Sequence, residues 1–284
     1  MKSMKHPVCK YLLIMLVLMA PATLVEGKKE LFTGFSTMTS KSYHSSDVIR
    51  KLLNYNVSAA AVCARTAEIA QTLKLAAIRA ELKLVNAQAA GIYNDMDLEE
   101  SGLSKKAFEY AWLGYHKLQM KGLLHRTGIL SICDFSQSSS RERMYVIDVR
   151  HKKLLFRTYV AHGINSGEEY ANSFSNQPES CKSSLGFYVT RQTYYGINGL
   201  SLRIDGLDKG FNDLASARNI VIHGASYVST HILQKYGVMG TTFGCPAIPT
   251  EMSTQIIPLV KNGTCFFIYY PSKKYLSGSM VLNG

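Results

Sequence analysis

ILSICDFSQSSSRERMYVIDV, residues 129–149, is where the chain changes character. Ahead of it, apolar residues recur at steps of three and four. From here on they come in short runs rich in Ile, Val, Phe and Tyr, separated by turn residues. Leu130–Phe135 and Met144–Val149 are the first two runs. Their length and β-branched content predict strands.

Working toward the N-terminus, residues 59–93 predict a long helix. Leu75, Ile78, Leu82, Val85, Ala89 and Ile92 fall on one helical face, while Arg79, Glu81, Lys83 and Asn86 lie elsewhere. Gly91 and Asn94-Asp95 weaken its end. The stretch Asn94–Glu99 alternates acidic positions but lacks the glycine and distal glutamate of an EF-hand loop, so it reads as a solvated connection. Ser104 caps a second helix with Phe108, Ala111, Trp112, Tyr115 and Leu118 on its buried side, ending near Gly122. Residues 49–128 thus form a helical region, and the Ser/Thr/Lys-rich residues 28–48 a flexible lead-in. Residues 1–27 carry Lys2, Lys5 and Lys10, the short apolar core Tyr11–Ala20, and Val25-Glu26-Gly27 before a cut at Lys28. That is the layout of a secretory signal peptide, with an uncleaved anchor as the alternative. No other stretch is apolar enough to span a bilayer, so no stable membrane span is expected after cleavage.

Toward the C-terminus, Leu154–Ala161, Phe187–Thr190, Ile220–Ile222 and Thr264–Tyr270 continue the β pattern, with turns at Arg150–Lys153 and Asn262-Gly263. The fold class is α+β: a mainly β domain over residues 129–284 behind a helical region.

The formal charge is +12, and +10 once Lys2, Lys5, Lys10 and Glu26 leave with residues 1–27. A basic exported protein suits an anionic partner such as wall polymer or membrane surface, and export argues against nucleic acid. After Cys9, five cysteines remain, at 63, 133, 181, 245 and 265. An odd number leaves at least one thiol unpaired within the chain, and no CxxC or CxxH cluster supports zinc. The others read as core residues or as one or two disulfides, with Cys181 the most exposed and Cys245 expected free.

Two segments carry chemistry. Ile220-Val-Ile-His223-Gly224-Ala-Ser226-Tyr227 ends a β-type run in a histidine, where a side chain can face a cleft. Gly237–Pro249 (GVMGTTFGCPAIP) holds Cys245 in a glycine-rich turn closed by Pro246. A thiol with an ordinary pKa of about 8.5 is mostly protonated at neutral pH. A nearby imidazole can take its proton or hold the thiolate as an ion pair. Turn N–H groups at Gly244 and Cys245 are candidates to stabilise an oxyanion, which together permits acyl transfer through a thioester.

The string IVIHGASYVS…GTTFGCPAIP resembles the His and Cys motifs of the murein L,D-transpeptidase catalytic-domain family: a His-Gly, then a Ser/Thr-x-Gly-Cys element. Tyr159–Gly163 with Ser166-Gly167, Phe174-Ser-Asn176, Ser183–Tyr188 including Gly186, and Ser201-Leu-Arg203 with Gly206-Leu207 extend the resemblance over roughly residues 100–270. Thr242 stands where Ser is commoner and keeps the hydroxyl. Thr241 stands where an Arg is often found, and Pro246-Ala247 replaces a Cys-x-Arg ending. A charge for a substrate carboxylate is missing from this loop, leaving Arg203 or Arg218 to supply it.

The resemblance implies a metal- and cofactor-free enzyme of the periplasm or cell envelope acting on peptidoglycan stem peptides. Cys245 attacks the amide after the third stem residue and expels the terminal D-amino acid. His223 accepts the thiol proton, and the Gly224 carbonyl orients the imidazole. The acyl group passes to an amine of a neighbouring stem, giving an L,D-crosslink, or to water, giving L,D-carboxypeptidase trimming. A protein amine is a further possible acceptor, and a non-catalytic wall-binding or tethering module is the reading from another class. Thr242, Tyr227, Ser226, Arg203, His162 and Gly186 are the expected substrate-side residues; His162 reads equally as a structural turn histidine.

Overall fold

The computed structural model describes the backbone from Ser45 and side chains from residue 61 to the C-terminus; the expected signal segment and residues 28–44 lie outside the described residues. Contacts divide the chain into two units, residues 1–74 and 75–284. Helix α1 is Ser45–Asp95, so it begins inside the stretch read as lead-in. Its apolar stripe is covered only in its C-terminal part. Val85 and Ala89 are buried, whereas Leu75 and Ile78 stay exposed. No described helix is long and apolar enough to cross a membrane.

Helix α2, Lys105–Met120, starts where the sequence indicates. Ser104 Oγ accepts the Ala107 N–H at 3.2 Å, and Phe108, Ala111, Trp112, Tyr115 and Leu118 are all buried. Gly122, at φ +67°, donates to the Gln119 carbonyl just past the helix end. Gly114 sets how closely α2 approaches the sheet, because a methyl group there would run into the Phe187 ring. That ring stacks on Phe267 at 4.0 Å between centroids, and both belong to one core shared by the helices and the sheet.

The sheet has eight strands: β1 Ile129–Asp134, β2 Met144–Asp148, β3 Lys153–Thr158, β4 Gly186–Gly196, β5 Gly199–Gly206, β6 Val221–Ala225, β7 Ala247–Pro249 and β8 Cys265–Tyr269, in the order β3-β2-β1-β8-β4-β5-β6-β7. β1 and β8 pair in parallel, as do β6 and β7, and the other neighbours are antiparallel. The segment leaving β3 bridges from Ala161 to Ala247 of β7, so the two ends of the strand order meet. Helix α3 is Thr230–Tyr236, α4 is Thr250–Val260, and α5 (Lys273–Gly278) and α6 (Met280–Asn283) close the chain.

The sequence pattern had shown β5 only through the resemblance, and β7 and α4 not at all. β7 has only three residues and ends in proline, and α4 carries Pro258 in its interior, a residue that reads as a helix breaker. The five cysteines at 63, 133, 181, 245 and 265 are all free thiols, so of the two alternatives for the cysteines the disulfides are not the one adopted. Cys133 and Cys265 are core residues.

Candidate active site

Register places the site. In the parallel pair β6–β7, His223 lies opposite Ala247. Cys245, two residues earlier, therefore falls beside Val221, whose N–H points at Cys245 Sγ at 3.4 Å. The thiol in turn reaches the Asn219 carbonyl at 3.7 Å. His223 is 3% exposed and Cys245 is half-buried.

His223 Nδ1 bonds to the Gly224 carbonyl at 2.9 Å. A carbonyl only accepts, so Nδ1 carries the proton and Nε2 keeps its lone pair. Nε2 has no partner among the described residues and is not one of the unpaired atoms shielded from water, so it is at least partly open to solvent. Gly224 is glycine for a packing reason: a Cβ there would lie 2.6 Å from Ser253 Oγ and 3.1 Å from Thr250 Cα of α4.

Burial pushes the His223 pKa down, only partly opposed by the Gly224 bond. Burial pushes the Cys245 thiol up, opposed by the Val221 N–H and the Arg218 charge. Both directions favour the neutral thiol and the neutral imidazole. Of the two sequence options, these directions favour a neutral thiol beside a neutral imidazole over a preformed ion pair. The thiol's bonds go to Val221 and Asn219, so transfer to Nε2 requires the thiol to turn or one water to bridge.

The nucleophile loop is clamped from within. Thr242 Oγ1 accepts the Gly244 N–H at 2.9 Å and donates to the Cys245 carbonyl at 2.8 Å. This bears on two sequence expectations. Thr242 spends its hydroxyl proton on holding the loop, and the Gly244 N–H is already committed. The Cys245 N–H has no acceptor among the described residues and so remains unpaired there. Gly244 has φ +122°, and a Cβ there would lie 2.8 Å from the Lys182 carbonyl. Ser183 Oγ joins this packing: it accepts the Gly163 N–H at 3.0 Å and faces the Gly244 carbonyl at 3.4 Å. Phe243, beside them, is 79% exposed.

His162 is not a pocket residue. It is buried with both ring nitrogens used: Arg143 donates to Nδ1 at 2.7 Å, and Nε2 donates to the Gly167 carbonyl at 2.9 Å. Burial and the Arg143 charge push its pKa down to about 4. Its backbone matters more directly, since the His162 carbonyl accepts the Thr242 N–H at 2.9 Å. Gly186 is likewise structural. It is buried at φ +126°, and a Cβ would lie 2.7 Å from both Asp208 Oδ2 and Asn212 Nδ2. Ser226 is exposed past the end of β6. Tyr227 is half-buried, and burial together with the neighbouring Cys245 raises its pKa.

Arg203 and Arg218 differ in a way the sequence could not show. Arg218 makes four bonds, to the Ser175 and Lys182 carbonyls and the Ser184 and Ser180 hydroxyls. It holds the loop against which Gly244 packs. Arg203 is exposed, lies 4.5 Å over the Tyr194 ring, and makes no hydrogen bond or ion pair among the described residues. Ser183 and Asn219 were not singled out as site residues from sequence; nothing in a serine or asparagine code marks such a contact.

Cys245, in the loop that leads into β7, and the buried His223 of β6 thus stand beside each other at adjoining strands of an eight-strand α+β fold. The L,D-transpeptidase catalytic domain family matches residues 99–269, and the chain belongs to this family. Similar solved structures include an L,D-transpeptidase from Mycobacterium smegmatis (12% identity, covering 50% of this chain and 59% of that one, TM-score 0.31). An L,D-transpeptidase from Xylanimonas cellulosilytica is 12% identical, covering 57% of this chain and 80% of that one, TM-score 0.29. The helical cell shape determining protein Pgp2 from Campylobacter jejuni is 16% identical, covering 60% of each chain, TM-score 0.31. The chain spans less than two thirds of the first and last of these. A search of curated proteins gave no match.

Proposed function

We propose that this protein is an exported cysteine acyltransferase that forms L,D-crosslinks between peptidoglycan stem peptides through a Cys245 thioester. The observation that carries the reading is the register that sets a free Cys245 beside the strand of His223, whose Nδ1 is fixed on the Gly224 carbonyl and whose Nε2 is partly open to solvent. Family membership supports the substrate class.

In this mechanism Nε2 of His223 takes the thiol proton as Sγ attacks the carbonyl carbon of the third stem residue. The Cys245 N–H stabilises the tetrahedral oxyanion. Collapse breaks the C–N bond, and the proton on His223 passes to the leaving amine of the D-amino acid. The thioester is then attacked by an acceptor amine, whose proton returns through Nε2, and the thiol is released. No metal or cofactor enters the scheme.

Intact-protein mass spectrometry with a stem tetrapeptide tests it. The expected result is an adduct of the tripeptide acyl mass, absent in Cys245→Ala, and a crosslinked product when an acceptor stem is added. Normal turnover by Cys245→Ala would overturn the mechanism. Release of free tripeptide despite the acceptor would mean the same thioester is trimmed by water.

A further inference from the structure

The nucleophile loop lacks a basic residue, yet one face of the sheet beside it carries an uncommitted cation. In β5, Ser201 pairs with His223 and Arg203 pairs with Val221. Directly opposed residues of an antiparallel pair, and residues two apart on a strand, share a face. Tyr194 of β4 pairs with Ser201 and belongs to the same row. Tyr194, Ser201, Arg203 and His223 thus look out on one side, with Val221 between Arg203 and the Cys245 sulfur.

The other charges nearby are committed. Arg218 is held by its four bonds, and Lys182 Nζ reaches Ser173 Oγ at 2.7 Å. Asp205, the carboxylate nearest Arg203 on β5, is paired with Arg191 at 2.6 Å. Arg203 therefore keeps its full charge and all its donors. Its guanidinium lies 4.5 Å over the Tyr194 ring with no donor taken among the described residues, and a free guanidinium can take a carboxylate with two parallel hydrogen bonds.

Distance selects which carboxylate. Arg203 stands two strand spacings from Cys245, about 10 Å, and leans toward Tyr194, away from the thiol. The carboxylate of the leaving amino acid sits next to the bond that breaks and is too close to it. An extended peptide rises about 3.3 Å per residue, so a carboxylate two or three residues from the scissile amide fits.

We infer that Arg203 binds an internal carboxylate of the donor peptide, two or three residues from the bond cleaved at Cys245, and so sets donor specificity. This rests on the acyltransferase reading. It is tested on binding as well as turnover, so that the two can fail separately. Two donor peptides are compared, identical except that the internal carboxylate is a carboxamide in one. Calorimetric affinity for the inactive Cys245→Ala protein should favour the acid by roughly 10- to 100-fold, as expected for a charge-assisted pair. Arg203→Met keeps the packing on Tyr194 and removes the charge. Added to Cys245→Ala it should abolish the preference while leaving amide-donor affinity unchanged, and Arg203→Lys should restore it only in part. In the otherwise native enzyme, Arg203→Met should raise KM for the acid donor with kcat unchanged. Equal affinity for the two donors, a preference that survives Arg203→Met, or no binding of either overturns the inference. Selective binding without any thioester overturns the acyltransferase reading alone.

Discussion

Burial decides the ionisation of both reacting groups, and it acts on them in opposite senses. It lowers the His223 pKa and raises that of Cys245, so imidazole and thiol are both neutral near pH 7. Under the proposed mechanism, activity requires unprotonated His223 and is lost as pH falls through a folded-state pKa below the ordinary value of about 6.5. The acid limb of kcat/KM should therefore lie below pH 6.5, and iodoacetamide labelling of Cys245 should keep rising beyond the ordinary thiol range. A limb above pH 6.5, or thiolate absorbance at neutral pH, would contradict this assignment. His223→Ala should lower kcat/KM by about 10²- to 10⁴-fold. Cys245 and His223 were legible because each stands in a glycine context at the end of a run. His162 was not, because a histidine in an Ala-His-Gly turn reads the same whether its nitrogens face a ligand or Arg143 and Gly167.

At the scale of elements, glycines separate contacts from propensity. Gly114 of α2 lies against Phe187, while Gly91 of α1 has open space around it. The same substitution should thus have opposite signs. Gly114→Ala forces the helix off the sheet and should cost about 1–3 kcal/mol. Gly91→Ala removes a helix-interior glycine and should stabilise by up to about 1 kcal/mol. Urea unfolding midpoints moving the same way for both would refute this account of the α2–sheet contact. α2 was readable end to end, since it carries its own cap and a complete apolar face. The register that sets Arg203 beside Val221 and Cys245 was not. It depends on which strand β5 pairs with, and no local period encodes that.

For the molecule as a whole, one buried carboxylate fastens the C-terminus to the sheet. Asp208 accepts the Phe187 N–H at 3.0 Å, Tyr275 Oη at 2.9 Å, Ser279 Oγ at 2.6 Å and the Val281 N–H at 3.1 Å. Asp208→Ala strands these donors in the interior and should cost about 3 kcal/mol or more, read as a lowered unfolding midpoint with α5 and α6 newly open to protease. A wild-type midpoint and wild-type digestion would show the network to be dispensable. By itself the sequence determined the α+β class, helix α2 and most of the strands, and it pointed to Cys245 and His223 as the candidate pair, because periodicity, caps and glycine context are local properties of the chain. Only the tertiary structure decided that His162, Gly186 and Thr242 are framework, that Arg218 is committed and that Arg203 is free. Those distinctions depend on which hydrogen-bonding groups meet across the sheet, and residues as far apart as Arg143 and His162, or Ser183 and Gly244, meet only when its register is formed.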